Sequence, residues 1–180
     1  ITFRMDYGEP LLLMVTRPKP SYDLTKRYTL TVREESFQRI RLDQIKTMSY
    51  LKNLMEKRLA HHFDEVLMFD QDGYVHETTT ANVFFVHDGK ILTPDSNVIL
   101  PGTTRRFIIE NQEKIGFEVE ERPILLSEVA SFDEVFMTSA LRGVALIENM
   151  DMYLHLGSGD ISQTVQDKYQ QLIGDLVTVS

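Results

Sequence analysis

The sequence has no cysteine in its 180 residues. Disulfides, thiolate catalysis and zinc–thiolate sites are therefore excluded. No apolar run approaches the roughly 20 residues that span a membrane, so no membrane partner is expected. No signal peptide is recognisable, and a cytoplasmic enzyme is the expectation. Positive charge is scarce, with a net charge of -8. A basic surface for phosphate chains is missing, which argues against a nucleic-acid partner. Internal repeats and low-complexity segments are also lacking. No methionine precedes Ile1-Thr2-Phe3, which reads as a strand already under way. The expectation is that residues 1–180 form one unit that lacks an N-terminal part.

What is present is ordinary globular composition, with 26% charged and 42% hydrophobic residues. The length allows one domain with a real core, or two small ones. Strands are expected over 1–7, 11–16 and 28–33, with a turn at Gly8-Glu9-Pro10. Residues 34–45 read as a charged loop. A helix is expected over 47–61, with Leu51, Leu54, Met55 and Leu59 on one apolar face. Two hairpins follow: 65–69 returning over 74–76 through Asp70-Gln71-Asp72-Gly73, and 83–87 returning over 91–93 through Asp88-Gly89-Lys90. Thr103 and Thr104 are expected to cap a helix closed by Gly116. A strand over 117–122 comes next, then a short helix over 127–131 capped by Ser127. Strands over 134–139 and 144–147 precede a final helix over 161–173, with Val165, Tyr169, Leu172 and Ile173 inward. Two hairpin signals make a doubly wound parallel sheet the weaker choice. The fold class is α/β in the mixed α+β sense, a barrel-like mixed sheet with helices.

Four stretches invite chemistry. Gly102-Thr103-Thr104 opens a helix, where backbone N–H groups attract phosphate; a plain N-cap is the commoner reading. Lys46 lies four residues before Tyr50, on one face if a helix starts there. A lysine beside a phenol suits covalent capture of an aldehyde; a surface lysine is the plainer reading. Glu77 and Asn82 flank "TTTA" at the mouth of a buried strand, as an acid site or as a polar turn. Thr138-Ser139 ends a strand with two hydroxyls. His61-His62 are consecutive and point about 100° apart on a helix, so no metal site is expected. In combination, a lysine, an acid, a phosphate cradle and a hydroxyl pair supply what pyridoxal 5'-phosphate requires.

The stretches "IKTMSYLKNLM", "DEVLMFDQDGYVHETTTANVFFVHDGKILTP", "ILPGTTRR", "GFEVEERPI" and "DEVFMTSALRGVALI" occur in an order similar to that of the class IV aminotransferases. These fold-type IV pyridoxal phosphate enzymes include branched-chain and D-amino-acid aminotransferases and 4-amino-4-deoxychorismate lyases. The resemblance covers residues 45–147 and implies the larger, C-terminal domain of that fold. It implies Lys46 as the lysine that bonds the cofactor, and Glu77 as the acid on the pyridine nitrogen. Tyr50 falls where a tyrosine reaches the ring hydroxyl, and Leu100 where an apolar residue packs on the ring. Thr103 and Thr104 fall on one side of the phosphate, Ser139 and Ala140 on the other. Ala140 departs from the threonine that many members carry there. Asn82 matches the family asparagine, with a structural role. The usual Thr/Ser-Arg-Gly near the first strand is replaced by Asp6-Tyr7-Gly8.

The resemblance implies amino transfer between an amino acid and a 2-oxo acid, with Lys46 moving the Cα proton. It also implies a homodimer. The alternative is a lyase that releases pyruvate from a chorismate-derived substrate to give 4-aminobenzoate. Ala81, where other subfamilies carry Glu or Ser, and "SALRGV" lean that way. A non-catalytic binding or assembly module is the reading from a different class.

Overall fold

The computed structural model describes residues 2–6, 9–13, 22–34, 44–46, 50–151, 154–155 and 159–178. Strands β1 (Thr2–Asp6) and β2 (Glu9–Leu13) pair antiparallel as a two-stranded sheet. Glu9 and Pro10 thus belong to a strand and not to the expected turn. Gly8, the tail of the second expected strand (14–16) and most of the charged loop (35–43) lie outside the described residues.

The main sheet runs β5-β4-β3-β10-β9-β6-β7-β8. In chain order these are β3 (Arg27–Glu34), β4 (Glu65–Phe69), β5 (Val75–Thr78), β6 (Asn82–His87), β7 (Lys90–Thr93), β8 (Val119–Glu121), β9 (Glu134–Ser139) and β10 (Gly143–Met150). A short β11 (Leu154–His155), not foreseen from the sequence, pairs with the end of β10. The pairs β10–β3, β3–β4 and β7–β8 are parallel, and the others along the path are antiparallel. The sheet is mixed and curls into a half-barrel, as the two hairpins required. Asp88 and Gly89 both have positive φ, 48° and 78°. That is the type I′ geometry which matches strand twist.

Val83 to Val86 are fully buried because β6 is covered on both faces. The period-2 pleat sends Val83 and Phe85 into one apolar cluster with Leu30, Leu67 and Met137. Phe84 and Val86 enter the opposite cluster, where Phe84 stacks on Phe136 at 4.8 Å. Helices cover this second face: α2 (Thr103–Glu110), α3 (Gln112–Ile115) and α4 (Asp160–Thr178) contribute Ile108, Ile115 and Val165. Tyr169 and Leu172 pack against it as expected.

Several boundaries moved for local reasons. Helix α1 (Leu51–Leu59) starts later than expected, and residues 47–49 lie outside the described residues. Its apolar residues Leu51, Leu54, Met55 and Leu59 are exposed. The inward face is instead polar: Asn53 donates to the Thr79 carbonyl at 2.7 Å, Glu56 pairs with Arg33 at 2.9 Å, and Lys57 reaches Glu65 at 3.1 Å. Residues 53, 56 and 57 share one helical face, and these bonds set the helix rotation.

Helix α2 starts on Gly102 rather than on a capping threonine, and it breaks from α3 at Asn111. Gly116, at φ 95°, closes α3 as expected. Ser127 lies inside a 3-10 turn (Leu126–Ser131). The carboxylate of Glu128 accepts from the Leu125 N–H at 2.9 Å, so the cap is the acid and not the serine. Among the described residues, no helix is long and apolar enough to cross a membrane.

Candidate functional site

The ends of β5, β6 and β9 meet the start of α2 around a cleft of about 380 Å³. Lys46, Tyr50, Glu77, Leu100, Thr103, Thr104, Ser139 and Ala140 all line it. Every site residue expected from the sequence thus falls at one place. That volume suits a small ligand.

Lys46 precedes α1 rather than riding on it. Its Nζ donates to the Tyr50 hydroxyl at 3.3 Å and stands 5.6 Å from the Tyr50 ring centre. Glu77 sits within β5, one residue before its end, and not just past it. Its carboxylate accepts from Asn82 Nδ2 at 3.0 Å and, more loosely, from the Leu100 N–H at 3.3 Å. Asn82 Nδ2 also donates to the Leu100 carbonyl at 2.8 Å. One buried amide therefore ties the acid to the loop that carries Leu100. Its other end abuts Gly102: a Cβ added there would overlap Asn82 Oδ1.

The intervening threonines have distinct jobs. Thr78 closes the turn on itself, with its N–H and hydroxyl both donating to the Ala81 carbonyl, at 2.8 and 3.0 Å. The hydroxyls of Thr79 and Thr80 donate to Glu65. Glu65 is fully buried on β4. It also accepts from Lys57 at 3.1 Å and from both terminal nitrogens of Arg142 at 3.0 Å. Burial pushes its carboxyl up, but the two hydroxyls and then the two cations outweigh that and hold it below the usual carboxylate range.

Two observations bear on an anion at the far end of the cleft. Among the described residues no side chain caps α2, so its first-turn N–H groups keep their donor capacity. Across the cleft, Thr138 is 1% exposed and its hydroxyl has no hydrogen-bond partner among the described residues. Unsatisfied buried hydroxyls are uncommon. Thr138 and Asn82 are register partners on β9 and β6. Ser139 Oγ, by contrast, accepts from the Arg142 N–H at 3.3 Å.

Sequence reasoning offered Thr138 with Ser139 as a hydroxyl pair but missed that, among the described residues, the Thr138 hydroxyl is the one of the two left without a partner; with Ala140, all three line the cleft. It also missed Asn53, which helical spacing from Tyr50 could have suggested. His61 and His62 lie beyond α1, exposed, with ring centres 3.9 Å apart and planes tilted by 44°. A grouping of His87, Asp88 and Asp133 forms where the β6–β7 hairpin turn meets the residue before β9, and none of the three lines the cleft.

The model of the amino-transferase class IV family matches residues 6–150. The chain is 31% identical over 177 residues to branched-chain-amino-acid aminotransferase-like protein 1 of Arabidopsis thaliana, covering 94% of this chain and 32% of that one. It is 27% identical to a putative branched-chain-amino-acid aminotransferase of Methanocaldococcus jannaschii, covering 92% and 60%. Among solved structures, the branched-chain amino acid aminotransferase from Thermobaculum terrenum, in its PLP-bound holo form, superposes with a TM-score of 0.72. Identity there is 28%, over 82% of this chain and 51% of that one. A putative 4-amino-4-deoxychorismate lyase from Legionella pneumophila gives 0.73 at 26% identity, over 83% and 58%. The chain thus spans about a third of the Arabidopsis relative and about half of the Thermobaculum structure. With five quoted motifs in order, a half-barrel of the same fold and a family match over most of its length, the chain belongs to the amino-transferase class IV family.

Proposed function

We propose that residues 1–180 are the cofactor-binding large domain of a pyridoxal-phosphate-dependent aminotransferase, which moves an amino group between an amino acid and a 2-oxo acid. The observation that carries this reading is the single cleft that gathers Lys46, Glu77, the uncapped start of α2 and the orphaned Thr138 hydroxyl. These residues fit the cofactor end to end. The α2 first turn and the Thr138 hydroxyl would hold its phosphate, Leu100 would pack on the ring, and Glu77 would meet the ring nitrogen. Once bound, the cofactor supplies an electron sink for carbanion chemistry at Cα.

The protein's own parts follow from position. Lys46 would supply the amine that holds the cofactor and would be the group placed to move the Cα proton. Tyr50, in hydrogen-bond contact with Lys46, orients that amine. Glu77, gripped by two amide donors, would face the ring nitrogen and favour its protonated form. The exposed apolar side of α1, beside the cleft, supports a homodimer. Sedimentation at the 20.9 kDa monomer mass alone would overturn that part.

A second reading is the lyase. Ala81 lines the cleft, and the Legionella likeness is of the same quality as the aminotransferase ones. The deciding experiment titrates the purified chain and Lys46→Ala with pyridoxal phosphate. A visible absorbance band that Lys46→Ala abolishes supports the site; no band in the wild-type chain favours a non-catalytic module. Amino transfer to a 2-oxo acid supports the lead reading. Pyruvate release from aminodeoxychorismate without any 2-oxo acid would replace it with the lyase.

A further inference from the structure

Glu65 does not line the cleft, yet it meets three segments that do. Lys57 belongs to α1, the helix that places Asn53 at the cleft. Thr79 and Thr80 belong to the turn that separates Glu77 from Asn82. Arg142 belongs to the turn between β9 and β10 that begins at Ala140, just after Ser139, and its Nη1 also donates to the Thr80 hydroxyl at 3.2 Å. We propose that Glu65 is a positioning residue, which sets the spacing of Glu77 and Asn82 by anchoring the threonine turn between them. This rests on the reading of Glu77 as the partner of the cofactor ring nitrogen.

The turn closes locally through Thr78 and Ala81, but that closure leaves its tilt undetermined. Its outer bonds fix the tilt: Thr79 N–H to the Val66 carbonyl at 3.1 Å, Asn53 Nδ2 to the Thr79 carbonyl, and the two hydroxyls to Glu65. An ionised carboxylate is an acceptor only, so it commits both hydroxyl protons and satisfies two cations together. A glutamine of the same shape has one acceptor oxygen and an NH₂ group. That NH₂ must face either a threonine hydroxyl or the Lys57 and Arg142 cations, which offer only donors. A Thr79 hydroxyl turned round to accept from that NH₂ makes only a neutral bond, so the turn's anchor weakens and the 3.0 Å contact between Asn82 and Glu77 loses part of its support.

The test is Glu65→Gln in the whole chain, read by hydrogen exchange without cofactor and by absorbance titration with pyridoxal phosphate. The core amides of β6 and β9, which open only with the whole fold, should speed by no more than the loss of stability that urea unfolding reads. The Thr78–Ala81 amides should exchange about tenfold faster or more, the scale of one hydrogen bond to a charged group. Cofactor should be held about tenfold less tightly, on the same scale. The pH at which the bound-cofactor band changes form should shift, which a general loosening of the fold would not produce. Thr79→Val with Thr80→Val keeps Glu65 and its cations and should reproduce both changes. If Glu65→Gln does not fold, that pair decides by the same criteria. A folded variant with wild-type exchange at this turn and wild-type cofactor affinity overturns the proposal alone. Failure of the wild-type chain to take up cofactor fails the reading of the site and takes the proposal with it.

Discussion

Two carboxylates on the paired strands β4 and β5 are held in opposite ways. Glu65 is sealed from solvent and surrounded by Lys57, Arg142 and two hydroxyls. Glu77 is half-buried at the cleft and gripped by the amides of Asn82 and Leu100. Cations and hydroxyls satisfy Glu65 as part of the fold. Amide donors orient Glu77 while its carboxylate still borders the space for a ligand. The difference teaches how one short segment serves both purposes: Glu77 and Asn82 face the cleft, while the threonines between them are fastened to Glu65.

The largest expected effect should separate these roles. Glu77→Gln should lower amino transfer by about 10²-fold to 10⁴-fold, the range for a positioned acid–base partner, with little change in urea midpoint. Glu65→Gln should act chiefly on the fold, destabilising it by about 3 kcal/mol, with an about tenfold loss of cofactor affinity as its lesser effect. That stability cost is the low end for breaking a buried ion pair, because Lys57 is 37% exposed and keeps some solvation. Urea unfolding of both variants beside a steady-state assay checks the pair. Equal stability losses would dissolve the contrast.

Acid sharpens the same comparison. Glu65 in the folded chain titrates below the ordinary glutamate value of 4.5. The unfolded chain therefore binds its proton first as pH falls. The stabilisation is fully present above about 4.5, the unfolded value, and is lost as pH falls through the lower folded value. The gap in urea midpoint between wild type and Glu65→Gln should be constant from pH 7 to about pH 5 and narrow below that. A gap that does not change down to about pH 3 would mean that charge is not what Glu65 contributes.

A smaller effect is expected at Asn82→Asp. The new carboxylate takes the place of an amide donor 3.0 Å from Glu77 and 2.8 Å from the Leu100 carbonyl. A like charge raises the pKa of its neighbour. The acid limb of the rate profile should move up by about one pH unit, the scale of a single close charge in a polar cleft. Stability should fall by about 1–3 kcal/mol from the unsatisfied carbonyl. An unmoved acid limb would show that Glu77 does not set it.

Much of this was legible in the sequence, and the remainder has physical causes. Asp88-Gly89 fixed its hairpin because both positions need positive φ, which few residue pairs tolerate. Val83–Val86 announced a strand covered on both faces, and the quoted motifs brought the expected site residues to one cleft. The orientation of α1 was not legible. Periodicity shows that Leu51, Leu54, Met55 and Leu59 share a face, but not that Asn53, Glu56 and Lys57 have partners on the sheet that turn this face outward. The Thr103 cap failed because Gly102 holds the capping position, where Asn82 leaves no room for a side chain. Glu65 looked like any strand residue, since Arg142 and Thr79, far apart in sequence, define its setting.

The smallest effect isolates that last contact of Gly102 with Asn82. Gly102 has φ -66° and ψ 141°, a conformation open to any residue. Gly102→Ala therefore carries no backbone strain, and only the overlap of the new Cβ with Asn82 Oδ1 should matter. Asn82 is buried and bonded at its other end to Glu77 and Leu100, so it cannot retreat without releasing them. The expected cost is about 1–2 kcal/mol, typical of overpacking by one methyl group, together with weaker cofactor binding. In an Asn82→Ala background the obstacle is gone, and the same substitution should cost almost nothing. The double-mutant cycle would then show a coupling of about 1 kcal/mol. Equal costs in the two backgrounds would mean that the glycine serves something other than the asparagine, with the start of α2 itself the first place to look.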